Sequence, residues 1–115
     1  DGDRLLEVLK VFSADVTTTN NAGETVLMKA AASRYFVLNE QQLEWMLSSG
    51  VKIDAIDDAG WTALMCAAKA GIVEVAKLLL QHGANAALRN DEGDTALSIA
   101  DAAGYKKLVK LLKPQ

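Results

Sequence analysis

Several residue types are scarce in this chain, and each scarcity excludes something. Cys66 is the single cysteine, which excludes an internal disulfide and leaves no cysteine set for a zinc site. Pro114 is the single proline, which excludes a proline-rich linker. The aromatics are two each of Trp, Tyr and Phe, so a core must be built from small aliphatic side chains. There is no unbroken apolar run of the roughly eighteen residues that a membrane-spanning helix needs. Positive charge is in slight deficit, twelve Lys and Arg against fifteen Asp and Glu, for a net charge of -3. That balance argues against nucleic acid, whose binding rests on neutralising phosphates. The N-terminal Asp1-Gly2-Asp3-Arg4 lacks the basic and then apolar stretches of a secretory signal. The chain does not begin with Met, which reads as a processed product or an excised fragment. The lone cysteine fits a reducing, cytoplasmic compartment.

What is present is apolar mass with a period. Hydrophobic residues make up 50% of the 115, too many for a disordered chain and enough for one domain. Gly60, Thr62, Ala63 and Leu64 recur as Gly93, Thr95, Ala96 and Leu97. Gly71, Leu78 and Leu79 recur as Gly104, Leu111 and Leu112, all at an offset of 33. An earlier copy holds Gly23, Thr25, Leu27, Ala30 and Ala31, with an offset of 37 to the next and therefore four extra residues. Repetition at such a period is the mark of a solenoid.

The local chemistry within one period reads as a turn and two short helices. Asp57-Asp58-Ala59-Gly60 and Asn90-Asp91-Glu92-Gly93 have the Asx-first, Gly-fourth pattern of a β-turn. Thr62 reads as an N-cap, with a helix from Ala63 to Ala70 ended by Gly71. A second helix is expected over Val73 to Gln81, with Gly83 just beyond. Neither is long enough to be stable alone, so each unit must bury its faces against its neighbours.

A repeat of this length carrying Gly-x-Thr-x-Leu, then Ala-Ala, then Gly, then Leu-Leu-Leu-x-x-Gly-Ala resembles the ankyrin repeat family. The resemblance covers nearly the whole chain as a single domain over residues 1–115. It divides into a half repeat over 3–19 and repeats over 20–56, 57–89 and 90–115. It implies an all-α solenoid of stacked helix-turn-helix units with β-turn fingers. The family's Thr-Pro-Leu-His stands here as Thr25-Val26-Leu27-Met28, Thr62-Ala63-Leu64-Met65 and Thr95-Ala96-Leu97-Ser98. Loss of the His removes a hydrogen bond between neighbouring units and implies some loss of rigidity.

Chemistry of the catalytic kind is sparse. Cys66 falls where the inner helix wants an apolar residue and reads as a small buried hydrophobe. His82 reads as an exposed side chain on the last carbonyls of its helix. The two lie on different helices, so no Cys–His nucleophile is expected. A calcium loop counted from Asp54 would need Gly sixth and Glu twelfth, but Ala59 and Met65 stand there. No enzyme activity, cofactor or metal is therefore expected. Lys106, Lys107, Lys110 and Lys113 crowd the last helix; a solvated capping face and a phosphate or membrane contact are the two readings.

Function must then lie where the repeat leaves residues free. The family binds proteins through a concave face of finger tips and inner helices. By register the tips are Asn21, Ala22 and Glu24, then Asp58, Ala59 and Trp61, then Asp91, Glu92 and Asp94. Thr19, Ile56 and Arg89 precede each turn, and Ala32, Ser33, Lys69, Ala70, Ala102 and Ala103 come from the inner helices. Trp61 stands where the aligned residues are Glu24 and Asp94; it reads either as a partner anchor or as a side chain packed on the neighbouring finger. Trp45 keeps the apolar register of Leu78 and Leu111 and reads as core. The extra residues fall within Ser33 to Leu38 and carry Tyr35 and Phe36. They form either a lengthened inner helix or a second contact site.

These readings imply a non-catalytic protein-interaction module acting as a monomer. Its partner would present a basic or basic-apolar segment, with no nucleic acid or membrane involved. A regulatory or targeting domain cut from a larger enzyme or multidomain protein is the alternative.

Overall fold

The computed structural model describes residues 23, 25–33 and 38–113. Among the described residues six helices alternate with turns and there is no strand. They are α1 (Val26–Ala32), α2 (Glu40–Ser48), α3 (Ala63–Ala70), α4 (Val73–Gln81), α5 (Ala96–Ala103) and α6 (Lys106–Leu112). The inner helices α1, α3 and α5 stack in order, and α4 and α6 pack behind α3 and α5. This is an all-α solenoid of helix pairs, as the sequence implies.

The helix starts follow from one residue type. Thr25, Thr62 and Thr95 are extended, and each side chain accepts a hydrogen bond from the backbone three residues on. That satisfies a backbone N–H which the first helical turn would otherwise leave unpaired. The position where the family has His follows two solutions here. Met28 and Met65 are buried and contribute apolar packing instead. Ser98 closes a capping box, its hydroxyl accepting from the Thr95 N–H at 2.9 Å. The lost His is thus replaced by burial in two units and by a local cap in the third.

The core is aliphatic and runs through the stack. Ala30, Ala31, Ala67, Ala68 and Ala100 are buried, and their small side chains let inner helices approach closely. Leu43, Met46, Val75, Leu79 and Leu108 close the core from the outer helices. Trp45 packs against this core but is only half-buried, less enclosed than its apolar register suggests.

The region of the extra residues differs from one of its two readings. α1 stops at Ala32, and Ser33 is extended (φ -73°, ψ 133°), so the inner helix is not lengthened by a turn. α1 is in fact shorter than α3 and α5. Tyr35 and Phe36 lie outside the described residues, as do Thr19, Asn21, Ala22 and Glu24.

Candidate partner-binding groove

Two fingers are built alike by one side chain each. Asp57 Oδ1 accepts from the N–H groups of Ala59 and Trp61, both at 2.9 Å. Asn90 Oδ1 does the same for Glu92 and Asp94, at 2.9 and 3.0 Å. A Gly then turns each finger back, Gly60 at φ 81° and Gly93 at φ 84°. The fingers are joined directly, because the Asp91 N–H donates to the Ala59 carbonyl at 2.9 Å. Neighbouring tips are therefore held in fixed register.

The tip residues divide by exposure. Asp58, Ala59, Asp91 and Glu92 are exposed, so an acidic row faces solvent. Asp94 is half-buried, and its carboxylate accepts the Ser98 hydroxyl at 3.1 Å. Arg89 is exposed but donates to the Gly93 carbonyl at 2.7 Å, bracing its own finger. Ile56 is 60% exposed, a large apolar side chain left in water ahead of the turn.

Beside the fingers lies an open groove of about 460 Å³. Ala32, Lys69 and Ala70 come to it from the inner helices, and Ala59 and Trp61 from the finger. These all belong to the surface expected from register. Asp57 and Cys66 also line it and were not expected there. Asp57 had only a turn role in sequence, where a carboxylate with a second exposed surface gives no separate signal. Cys66 is half-buried rather than fully buried, because its side of α3 borders the groove. Ala102 and Ala103 are exposed on α5 but do not line this groove.

Trp61 joins both of its readings in one position. It is half-buried and packs against the core, yet it lines the groove. Its position is thus not outside the packing of the array. The Lys69 ammonium lies 5.3 Å from the centre of its ring, a cation–π distance. The groove therefore offers an aromatic wall, one cation above it and the Asp57 carboxylate beside it.

The family model for ankyrin repeats, three copies, matches residues 31–115. This chain belongs to the ankyrin repeat family. Among its curated relatives is an ankyrin repeat, SAM and basic leucine zipper domain-containing protein of sheep, 36% identical over 75 residues. That match covers 65% of this chain and 15% of the sheep protein. A probable E3 ubiquitin-protein ligase of rice is 31% identical over 110 residues, covering 94% of this chain and 21% of the rice protein. Human protein phosphatase 1 regulatory subunit 27 is 28% identical over 113 residues, covering 98% of this chain and 70% of that protein. The ankyrin repeat chain thus spans less than a quarter of the sheep and rice relatives it matches.

Ankyrin repeats are in general protein-interaction modules and not catalysts. Cys66 and His82 have different surroundings. Cys66 lines the groove on α3, whereas His82 closes α4 and faces α2. His82 does bond a carbonyl of its last turn, Leu78 O at 3.1 Å from Nδ1, but its side chain is only 19% exposed. No described helix is long and apolar enough to cross a membrane.

Proposed function

We propose that this ankyrin repeat chain is a non-catalytic module that binds a partner protein across its finger tips and inner helices. The single observation that carries this is the groove in which Trp61, Lys69 and Ala59 converge. A large aromatic that is partly enclosed and partly open is the kind of side chain that dominates interfaces. Asp58, Asp91 and Glu92 stand exposed along the adjoining tips and favour a partner segment that is basic or mixed basic-apolar. Asn21, Glu24, Ile56, Arg89 and Asp94 would complete the surface, and Tyr35 and Phe36 would make a second contact. A monomer in the cytoplasm, with a protein partner rather than nucleic acid or membrane, goes with the single cysteine and the net charge.

The test is affinity capture of binding partners by the native chain, with Trp61→Ala and Lys107→Ala measured in parallel. Trp61→Ala should weaken binding by about 2 kcal/mol or more, the scale of a hot spot. Lys107 is exposed on α6, and Lys107→Ala should leave binding within about 0.5 kcal/mol. The reverse pattern would move the partner to the convex side. Because Trp61 packs on the core, its truncation should also lower stability, by about 1–3 kcal/mol for a half-buried side chain. Binding must therefore be compared at a temperature where both proteins are folded.

A second reading is favoured by the lengths of the relatives. The matched sheep and rice proteins are far longer than the matched segment, and the human one is a phosphatase regulatory subunit. A regulatory or targeting role beside a larger enzyme or multidomain protein follows naturally from that. The sequence neighbouring this segment in its gene decides it: an adjoining catalytic domain supports the reading.

A further inference from the structure

The convex side holds a group of side chains that partner binding on the concave side does not use. Glu40 and Glu44 are one helical turn apart on α2, an i,i+4 spacing that puts both carboxylates on one face. His82, at the C-cap of α4 in the next unit, reaches across to them. Its Nε2 lies 3.9 Å from Glu40 Oε1 and 3.8 Å from Glu44 Oε1. One ligand atom from each of the three residues lies within 4.8 Å of the others. Among the described residues neither glutamate has another ion-pair partner.

The proton on His82 is fixed from outside this group. Nδ1 lies 3.1 Å from the Leu78 carbonyl, which can only accept, so Nδ1 carries the hydrogen. Nε2 is the ring atom that faces the two carboxylates. Glu40 and Glu44 are like charges at i,i+4 and repel. A ring held by Nδ1–H to a backbone carbonyl is the orientation that metal-ligating histidines take, with Nε2 left for the ion.

We infer that Glu40, Glu44 and His82 form a binding site for a divalent transition-metal ion of the zinc type, linking α2 to α4. One imidazole and two carboxylates suit zinc better than calcium or magnesium, which take oxygen ligands. Zinc bonds of about 2.0–2.2 Å place tetrahedral ligands about 3.4 Å apart. Nε2 of His82, at 3.9 and 3.8 Å from the two carboxylates, lies about half an ångström beyond that value, and the two carboxylate oxygens lie within 4.8 Å of each other. The glutamate side chains are 66% and 60% exposed, so they have room to move closer. Three protein ligands leave a fourth tetrahedral position for water. The spacing test on the acidic turns could not find this group, because its members sit on separate units joined only by stacking.

Zinc alone, titrated into the 115-residue chain in a weakly coordinating buffer at neutral pH, tests the site. One ion should bind per chain and raise the melting temperature. His82→Gln, and separately the double variant Glu40→Gln with Glu44→Gln, should each weaken binding at least tenfold. The double variant changes only exposed positions, so it reports on the site even if His82→Gln fails to fold. Cys66→Ala should leave the affinity unchanged. Zinc should shift the ¹⁵N resonance of His82 Nε2 while Nδ1 keeps its proton. The inference is overturned if the native chain binds no zinc, if the double glutamine variant binds it as tightly as the native chain, or if affinity follows Cys66.

Discussion

Asp57 and Asn90 hold the same place in successive units and make the same pair of backbone hydrogen bonds. Their fingers nevertheless differ in what lies beyond them. A Cβ placed on Gly60 would come within 3.0 Å of the Asp91 backbone nitrogen and 3.1 Å of the Asn90 Cα. A Cβ on Gly93 would meet nothing within 4 Å. Both glycines have φ above 80°, so the left-handed strain of an added side chain is shared. Gly93→Ala should therefore destabilise by about 1–2 kcal/mol from conformation alone. Gly60→Ala should lose a further 1–3 kcal/mol or so, because backbone of the next finger must move. Urea denaturation of the two variants measures the difference; equal losses would mean that the fingers are not stacked this closely. The need for Gly at both positions was legible in the turn pattern, but the contact at only one of them was not.

At the scale of elements, α3 has the bounds expected from its Thr62 cap and terminal Gly71, and α4 those expected from its apolar period with Gly83 just beyond. The signals were local, and each is obeyed within one unit. The end of α1 was less legible, since Ser33 to Leu38 carry no glycine or proline to mark it. The elements also show how position alters equal residues. Leu27, Leu64 and Leu97 share one register position; the first two are buried, whereas Leu97 is half-buried. Leu64 lies on α3, which packs against both α1 and α5, and Leu97 lies in the last described unit. Leu79→Ala and Leu64→Ala should each cost about 2–5 kcal/mol, as truncations of buried Leu do. Leu97→Ala should cost less than half as much. Chemical denaturation of the three variants checks this ordering, and a loss under about 0.5 kcal/mol for Leu79→Ala would contradict the assigned register.

For the whole molecule, stability is a sum over units and their shared faces. The middle unit has stacked neighbours on both sides, so its amides should open last. Hydrogen exchange should be slower at Leu79 in α4 than at Leu112 in α6, and similar rates would indicate that the array unfolds as one block. The surface adds a long-range effect. Asp58, Asp91 and Glu92 are exposed along the tips, so their potential should steer a basic partner. Affinity for such a partner should fall as salt rises, because screening shortens the reach of exposed charges. Unchanged affinity across that range would exclude a basic partner segment.

The sequence by itself determined the class of fold, the Thr62 cap and Gly71 end of α3, and the membership of the groove at Ala32, Ala59, Trp61, Lys69 and Ala70. These follow from short-range rules that act within one unit and recur at each period. The tertiary structure alone decided what stacking brings together. It opened Cys66 and Asp57 to the groove, half-buried Trp61 against the core, and set His82 beside Glu40 and Glu44. Burial and proximity between units depend on how closely one helix pair sits on the next. No residue pattern inside a single repeat carries that spacing.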